Sequence, residues 1–335
     1  MHHLWESALS TLRGRLSEEN YRTWLEPVQL DRLEGGTVTL RIPNRFYADW
    51  ISTHYLDLIL ESLSHESGVE PLEVDWLVDE KLQQMLDRRA DEWKIAVQTW
   101  VIEVDGLTVL VDTGVGDGRH RPHMPPLDHL DTGFLAALAD AGFAPDDVDV
   151  VINTHLHTDH VGWNTRSVIT DGDEEWVPTF RNARYLMSAD DHRYFCPDGD
   201  GATDGMRLVF ADSIAPVEAQ TELFAGDHQL SESLWLRAAP GHTPGSSVLW
   251  LDAGAPAVFV GDLTHCPIQL PRPDDPCAFD VDAGAAAATR RRVFTEAARR
   301  RATVIPAHYP GHGGATIAAR GANFAVDSWL DLSPV

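Results

Sequence analysis

Cysteine is scarce in this sequence. The 335 residues include only Cys196, Cys266 and Cys277, an odd number with no C-x-x-C pair. Neither a disulfide framework nor a cysteine-based zinc or redox motif is therefore expected. Each thiol is read as free and partly buried, and a reducing cytoplasm is the compartment that fits. Basic residues are also in deficit: 26 Lys and Arg stand against 52 Asp and Glu, a formal net charge of −26 at pH 7. Binding phosphate backbones needs clustered cations, so no nucleic-acid partner is expected, and the acid excess is read as a solvated surface. Apolar runs stay well short of the roughly 20 residues that cross a bilayer, so no membrane span is expected. The opening residues lack a basic stretch followed by an apolar one, which argues against a secretory leader. No G-x-x-x-x-G-K-[ST] loop and no G-x-S-x-G elbow occurs, removing a Walker-type nucleotide site and that kind of serine nucleophile.

What remains is an ordinary globular balance, 43% hydrophobic and 23% charged, in a chain long enough for two domains. The first 79 residues form one expected unit. Leu4, Trp5, Ala8, Leu9, Leu12 and Leu16 share one helical face. Ser17 with Glu18, Glu19 and Asn20 reads as a cap leading into a helix with Tyr21, Trp24 and Leu25, which Pro27 stops. A hairpin turns at Gly35-Gly36. Asn44 caps a further helix carrying Phe46, Trp50, Ile51, Tyr55, Leu58, Ile59 and Leu63, and a strand follows near 69–78. The order is ααββαβ.

That order resembles the N-terminal domain of the bacterial replication initiator DnaA. So do the stretches Leu4-Trp5 with Leu9, Tyr21-Arg22-Thr23-Trp24-Leu25-Glu26-Pro27 and Ile42-Pro43-Asn44-Arg45-Phe46 with Asp49-Trp50-Ile51. The resemblance implies an interaction module that docks a protein partner or a second copy of itself. Taken one at a time, Trp5, Trp24 and Trp50 are ordinary core residues.

Residues 80–94 read as a polar connector, and 95–335 as an α/β unit. Short buried strands are expected at 99–104, 107–112, 148–154, 183–187, 234–238, 247–251, 257–260 and 303–306, with helices at 134–141 and 285–301. His155-Leu156-His157-Thr158-Asp159-His160-Val161-Gly162 follows the apolar strand Val148-Asp149-Val150-Val151-Ile152. Four potential metal ligands within six positions are hard to explain as packing. Histidines two apart in an extended segment point to one side and can share an ion. Three further strand ends carry ligand types: His242 in Pro240-Gly241-His242-Thr243-Pro244-Gly245, Asp262 after Gly261, and His308 after Ala307. Loops at strand exits are where α/β active sites collect.

These segments resemble the metallo-β-lactamase superfamily, above all its branch of methyl parathion hydrolase and quorum-quenching lactonases. Val111-Asp112-Thr113-Gly114, Trp163-Asn164-Thr165 and His265 join them in carrying the likeness. The resemblance implies an αββα sandwich preceded by the small α+β domain. It also implies two divalent metal ions, zinc first among candidates. His155, His157 and His242 would hold one ion, Asp159, His160 and His308 the other, and Asp262 would bridge them. A water between the ions would attack a small-molecule lactone or other ester, or alternatively a phosphotriester, with Asp159 and Asp262 in the catalytic machinery. Ser246 stands where many relatives carry another histidine. Asp112 is expected to support a ligand without being one. His265, Trp163, Phe180 and Tyr309 are candidate substrate contacts, with Phe195 beside them, although the aromatics taken singly read as core. His120, His123 and His129 read as exposed. The run Arg290-Arg291-Arg292 with 299–301 reads as a solvated helix face. The rival reading keeps the fold as a scaffold that acts through the first domain.

Overall fold

The computed structural model describes residues 2–16, 20–25, 28–34, 36–42, 45–69, 73–78, 95–309 and 313–330. The chain divides into two compact units, Met1–Trp93 and Lys94–Val335. The expected cap at Ser17–Glu19, the Pro27 stop, the Asn44 cap and the connector at 80–94 lie outside the described residues or at their margin. No helix among the described residues is long and apolar enough to cross a membrane.

In the first unit, helix α1 (His2–Arg13) buries Trp5, Ala8 and Leu12, the i, i+3, i+7 face read from the sequence. The Trp5 indole N–H donates to the Val28 carbonyl at 3.0 Å, giving the polar end of a buried ring its partner. Strands β1 (Gln29–Glu34) and β2 (Thr37–Ile42) pair antiparallel and turn at Gly36, whose φ of 87° suits glycine. Strand β3 (Glu73–Val78) pairs parallel to β2, so the intervening chain crosses over through two helices, α2 (Arg45–His54) and α3 (Leu56–Ser67).

The helix expected at Tyr21–Leu25 is present, π-type and preceded by a helical Asn20. One expectation needs correction here. The one helix expected through Leu63 is broken at Tyr55, whose dihedrals (φ −133°, ψ −6°) leave the helical region. Hydrogen bonds from Tyr55 N to Ile51 O and from Ile59 N to Tyr55 O carry the apolar stripe through the kink. The four-residue spacing of Ile51, Tyr55, Ile59 and Leu63 is therefore unbroken in sequence and hides it.

The second unit is a sandwich of two sheets. Its strands are β4 (Trp100–Val104), β5 (Leu107–Val111), β6 (Val150–Ile152), β7 (Thr165–Thr170), β8 (Asp173–Pro178), β9 (Arg184–Ser188), β10 (Thr221–Phe224), β11 (His228–Gln229), β12 (Leu234–Ala238), β13 (Ser247–Leu251), β14 (Ala257–Gly261), β15 (Thr303–Pro306), β16 (Ala315–Arg320) and β17 (Asn323–Trp329). One sheet has five strands in the order β10-β9-β6-β5-β4; the other has seven, running β11 to β17 in sequence order. The hairpin β7–β8 stands apart as a two-stranded ribbon.

Strand alternation assigns the layers. Val109, Val111, Val150 and Ile152 face Leu236, Leu249, Phe259 and Ile305 across the sandwich. The intervening Leu110 and Val151 turn outward onto Leu138 of helix α4 (Phe134–Asp140), Phe195 of α5 (Ala189–Phe195) and Val209 of α6 (Asp204–Val209). Trp250, Val258 and Val304 turn the other way onto Val293, Phe294 and Ala297 of α7 (Ala283–Arg300). The architecture is the expected αββα sandwich.

The last helix carries another correction. Arg290 does not lie on a solvated face: it is fully buried, with Nε donating to Pro273 O at 2.8 Å and Nη1 reaching Asp280 at 3.3 Å. A charge can be buried when carbonyls and a carboxylate surround it.

Candidate metal centre

Strands β5 and β6 run parallel, as do β14 and β15. Their C-terminal ends deliver Asp112, the His155–His160 loop, Asp262 and His308, and the loop after β12 adds His242. Asp112 itself has φ 56°, a left-handed turn that an aspartate accepts more readily than most residues. Gly261, at φ 50°, leaves no room for a Cβ, which would meet Thr154 Oγ1 at 2.5 Å. Gly162 is tighter still: a Cβ would fall 2.0 Å from the backbone of Val115.

The sequence-predicted ligand types come together in two groups that share Asp262. His155 Nε2 and His242 Nε2 each lie 3.0 Å from His157 Nδ1. Asp262 Oδ2 closes this group at 3.3 Å from His242 and 3.6 Å from His155. On the other side, Asp262 Oδ1 is 3.2 Å from His160 Nε2 and 2.9 Å from His308 Nε2. Asp159 sits 3.7 Å from His160 and 3.5 Å from His308. Ligand atoms about 2.0–2.1 Å from one tetrahedral ion lie roughly 3.4 Å apart. His160 Nε2 and Asp262 Oδ1, 3.2 Å apart, are both buried without a hydrogen-bond partner. Buried polar atoms are seldom left so, and a divalent cation would satisfy both. The donor set of imidazoles and carboxylates fits zinc-like ions.

Most of the outer ring nitrogens are also held. His160 Nδ1 lies 2.8 Å from Asp112, His242 Nδ1 3.2 Å from Asp280, and His308 Nδ1 donates to Ala96 O at 2.7 Å. Such partners fix tautomer and ring orientation. Asp280 is held in turn by Arg290, at 3.3 Å. Asp191, fully buried on α5, accepts from Leu156 N, Thr243 Oγ1 and Gly245 N. Two buried arginines, Arg119 and Arg121, fix the loop before α4, Arg119 by donating to the Gly162 and Thr165 carbonyls. Arg121 grips Asp212 through both terminal nitrogens at 2.7 and 2.8 Å and donates to Thr158 Oγ1 at 2.9 Å, inside the histidine motif. Asp191, Asp280 and Arg121 were missed by sequence reasoning, because single charged residues far along the chain carry no pattern, and Arg290 was read only as part of a solvated run.

Electrostatics follow from burial and from the shared carboxylates. Burial opposes charging His160, but Asp262, Asp112 and Asp159 outweigh it and hold its imidazole well above the ordinary range. Burial likewise opposes charging His242 and His308, yet Asp262 brings each up to about 9, with Asp280 aiding His242 and Asp159 aiding His308. His157 goes the other way, down to about 3, because burial and the neighbouring His242 both disfavour a charged ring. Burial raises Asp191 to about 6 against its own hydrogen bonds.

The remaining candidates divide. His265 Nε2 lies 3.1 Å from Asp262, its ring is stacked beside His308 at 5.4 Å, and its Nδ1 is buried without a partner. Trp163 stacks on Phe134 at 5.2 Å. Phe195 packs edge-on against His157 at 5.4 Å. Phe180 is fully buried in the helix-side core with Tyr185 and Met187, a packing position. The Tyr309 hydroxyl is engaged by Thr264 at 2.8 Å and donates to Cys266 O at 3.0 Å. His120, His123 and His129 are exposed. Ser246 closes the His242 loop, accepting from Thr243 N at 3.0 Å.

Residues 94–308 match the family model of the metallo-beta-lactamase superfamily, and residues 2–65 match that of the DnaA N-terminal domain. The chromosomal replication initiator protein DnaA of Gloeobacter violaceus is 34% identical over 86 residues, 26% of this chain and 19% of that protein. Its counterpart in Geotalea daltonii is 29% identical over 83 residues, 25% and 18% of the two chains. The chain thus spans about a fifth of the length of these curated relatives. Three solved structures share the fold of the second unit. A probable metal-dependent hydrolase from Staphylococcus aureus has TM-score 0.65 at 16% identity, covering 77% of this chain and 90% of that one. The hydrolase AbOPH of the beta lactamase superfamily has TM-score 0.62 at 22% identity, covering 76% and 85%. The dizinc quorum-quenching lactonase AidC has TM-score 0.58 at 22% identity, covering 73% and 82%.

Proposed function

The chain belongs to the metallo-β-lactamase superfamily; from that premise we propose that it is a hydrolase that uses two divalent ions to cleave a lactone or other ester of a small molecule. The observation that carries this reading is the placement of Asp262, whose two carboxylate oxygens face different ligand groups at 2.9–3.6 Å. His155, His157 and His242 would hold one ion, Asp159, His160 and His308 the other, with Asp262 spanning both. Zinc is the first metal to test. Bound there, the ions supply Lewis acidity and bring the pKa of a water toward neutrality.

The protein's own side chains do the rest. Asp159, with 14% of its side chain exposed against 5% for Asp262, would orient an attacking water and take its proton. His265, braced against Asp262 through Nε2, would contact substrate beside the ions. Trp163 supplies apolar surface beside the site. Asp112, Asp280 and the Ala96 carbonyl hold the rings so that little reorganisation is needed during reaction. The first unit, by its match to the DnaA N-terminal domain, would dock a protein partner or a second copy.

The test is metal content per chain by elemental analysis, paired with turnover of lactone, aryl ester and phosphotriester substrates. About two ions per chain and lactone or ester turnover lost in Asp159→Ala and His157→Ala are expected. Phosphotriester turnover alone would move the substrate class and keep the site. No metal after reconstitution would overturn the dinuclear reading and favour a scaffold acting through the first unit.

A further inference from the structure

Asp191 is an unusual residue for its place. It stands in the first turn of α5, where a carboxylate commonly serves the N–H groups of its own helix, and Ser188 already fills the cap by accepting from Asp190 N at 3.3 Å. The Asp191 carboxylate turns instead to two loops far apart in sequence. Oδ2 accepts from Leu156 N at 3.3 Å and from Thr243 Oγ1 at 2.8 Å, while Oδ1 accepts from Gly245 N at 2.5 Å. Leu156 separates His155 from His157, and Thr243 follows His242. The approach leaves no side-chain room at Gly245, where a Cβ would fall 2.4 Å from Asp191 N and 2.5 Å from Ser188 Oγ.

The hydroxyls around it have a forced order. Thr243 has one hydroxyl proton, and an ionised Asp191 can only accept it. The 2.7 Å contact between Thr243 and Ser246 must then be Ser246 donating to Thr243 Oγ1. Ser246 Oγ in turn accepts from Thr243 N at 3.0 Å. The His242 loop is thus closed on itself and tied to the His155–His157 loop through one carboxylate.

The other ligand group has different supports. His160 is held by Asp112 at its ring, with its carbonyl accepting from Thr113 N and Asn153 Nδ2; His308 is held by Ala96 O. Asp191 bonds only beside His155, His157 and His242, whereas Asp112 holds the His160 ring as well as Thr154 N, and Ala96 O holds His308.

We propose that Asp191 is a positioning residue for the three-histidine half of the centre, keeping His155, His157 and His242 in register by joining their two loops. The proposal rests on the dinuclear reading and adds an asymmetry to it: losing Asp191 weakens one ion and spares the other.

The test uses the full chain loaded with zinc and titrated with a chromophoric zinc chelator, which resolves the affinities of successive ions. In Asp191→Asn, an amide hydrogen must face at least one of the N–H or O–H donors. The expected result is a rise of at least tenfold in the dissociation constant of one ion, in keeping with the roughly 10–100-fold effect of supporting residues, and a change under twofold in the other. The weakened ion is identified in a His157→Ala background, where adding Asp191→Asn should leave the affinity of the remaining ion unchanged. Thr243→Val removes one of the three hydrogen bonds, should shift the same ion less, and decides alone if Asp191→Asn does not fold. Equal weakening of both ions, or of neither, would overturn the proposal. Fewer than two ions on the unsubstituted protein would instead overturn the dinuclear reading.

Discussion

Asp112 Oδ2 lies 2.8 Å from His160 Nδ1, and both side chains are buried. The same carboxylate accepts from Thr154 N at 2.8 Å, so one residue sets both the ring of a candidate ligand and the backbone that starts the histidine motif. Its left-handed backbone turn carries it from the end of β5 to that position.

Asp112→Ala is therefore expected to weaken metal retention by about 10–100-fold. Chelator competition checks this, read together with the melting temperature to separate loss of metal from loss of fold. Unchanged retention would mean that the 2.8 Å contact does not orient His160.

The pH dependence has a definite sign. His242 and His308 stand at about 9 in the metal-free fold, above the ordinary value of 6.5. Their protonated forms stabilise that fold fully below about 6.5, and the contribution is lost as pH rises through about 9. Metal binding needs neutral rings, so apparent affinity should climb across the same window while loading releases protons. Calorimetric titration in two buffers of different ionisation enthalpy measures that release. An affinity flat between these limits would contradict the assigned directions.

Gly162→Ala should destabilise the second unit by about 1–3 kcal/mol or more, because the added Cβ meets backbone with no side chain able to yield. Thermal unfolding measures the loss. A neutral outcome would show that the chain at Val115 relaxes freely.

Leu12→Ala removes a fully buried side chain from the core of the first unit and should cost about 2–5 kcal/mol there. With hydrolysis unaffected, a lowered transition for this unit alone in calorimetry is expected. Equal destabilisation of both units would show that they unfold as one.

The substitution of loop ends for chemistry was readable without coordinates. His155, His157, Asp159 and His160 crowd one short segment, and local density of ligand types is a sequence property. So were the strands whose residues are buried on both sides, β13, β14 and β15, because a continuous apolar run survives in the linear pattern. The hairpin β7–β8 left little trace because most of its residues are exposed and show no apolar alternation. The kink at Tyr55 left none because its apolar spacing continues unchanged.

By itself, the sequence determined which residue types can bind metal and which faces of α1, β5 and β14 are apolar, because both follow from composition and period. Only the tertiary structure decided that Asp262 stands between two ligand groups, that Arg290 is buried against Asp280, and that Asp191 joins the His155 and His242 loops. Those are contacts between residues ten or more positions apart. No local period encodes them, and the packing of two sheets brings them within hydrogen-bonding distance.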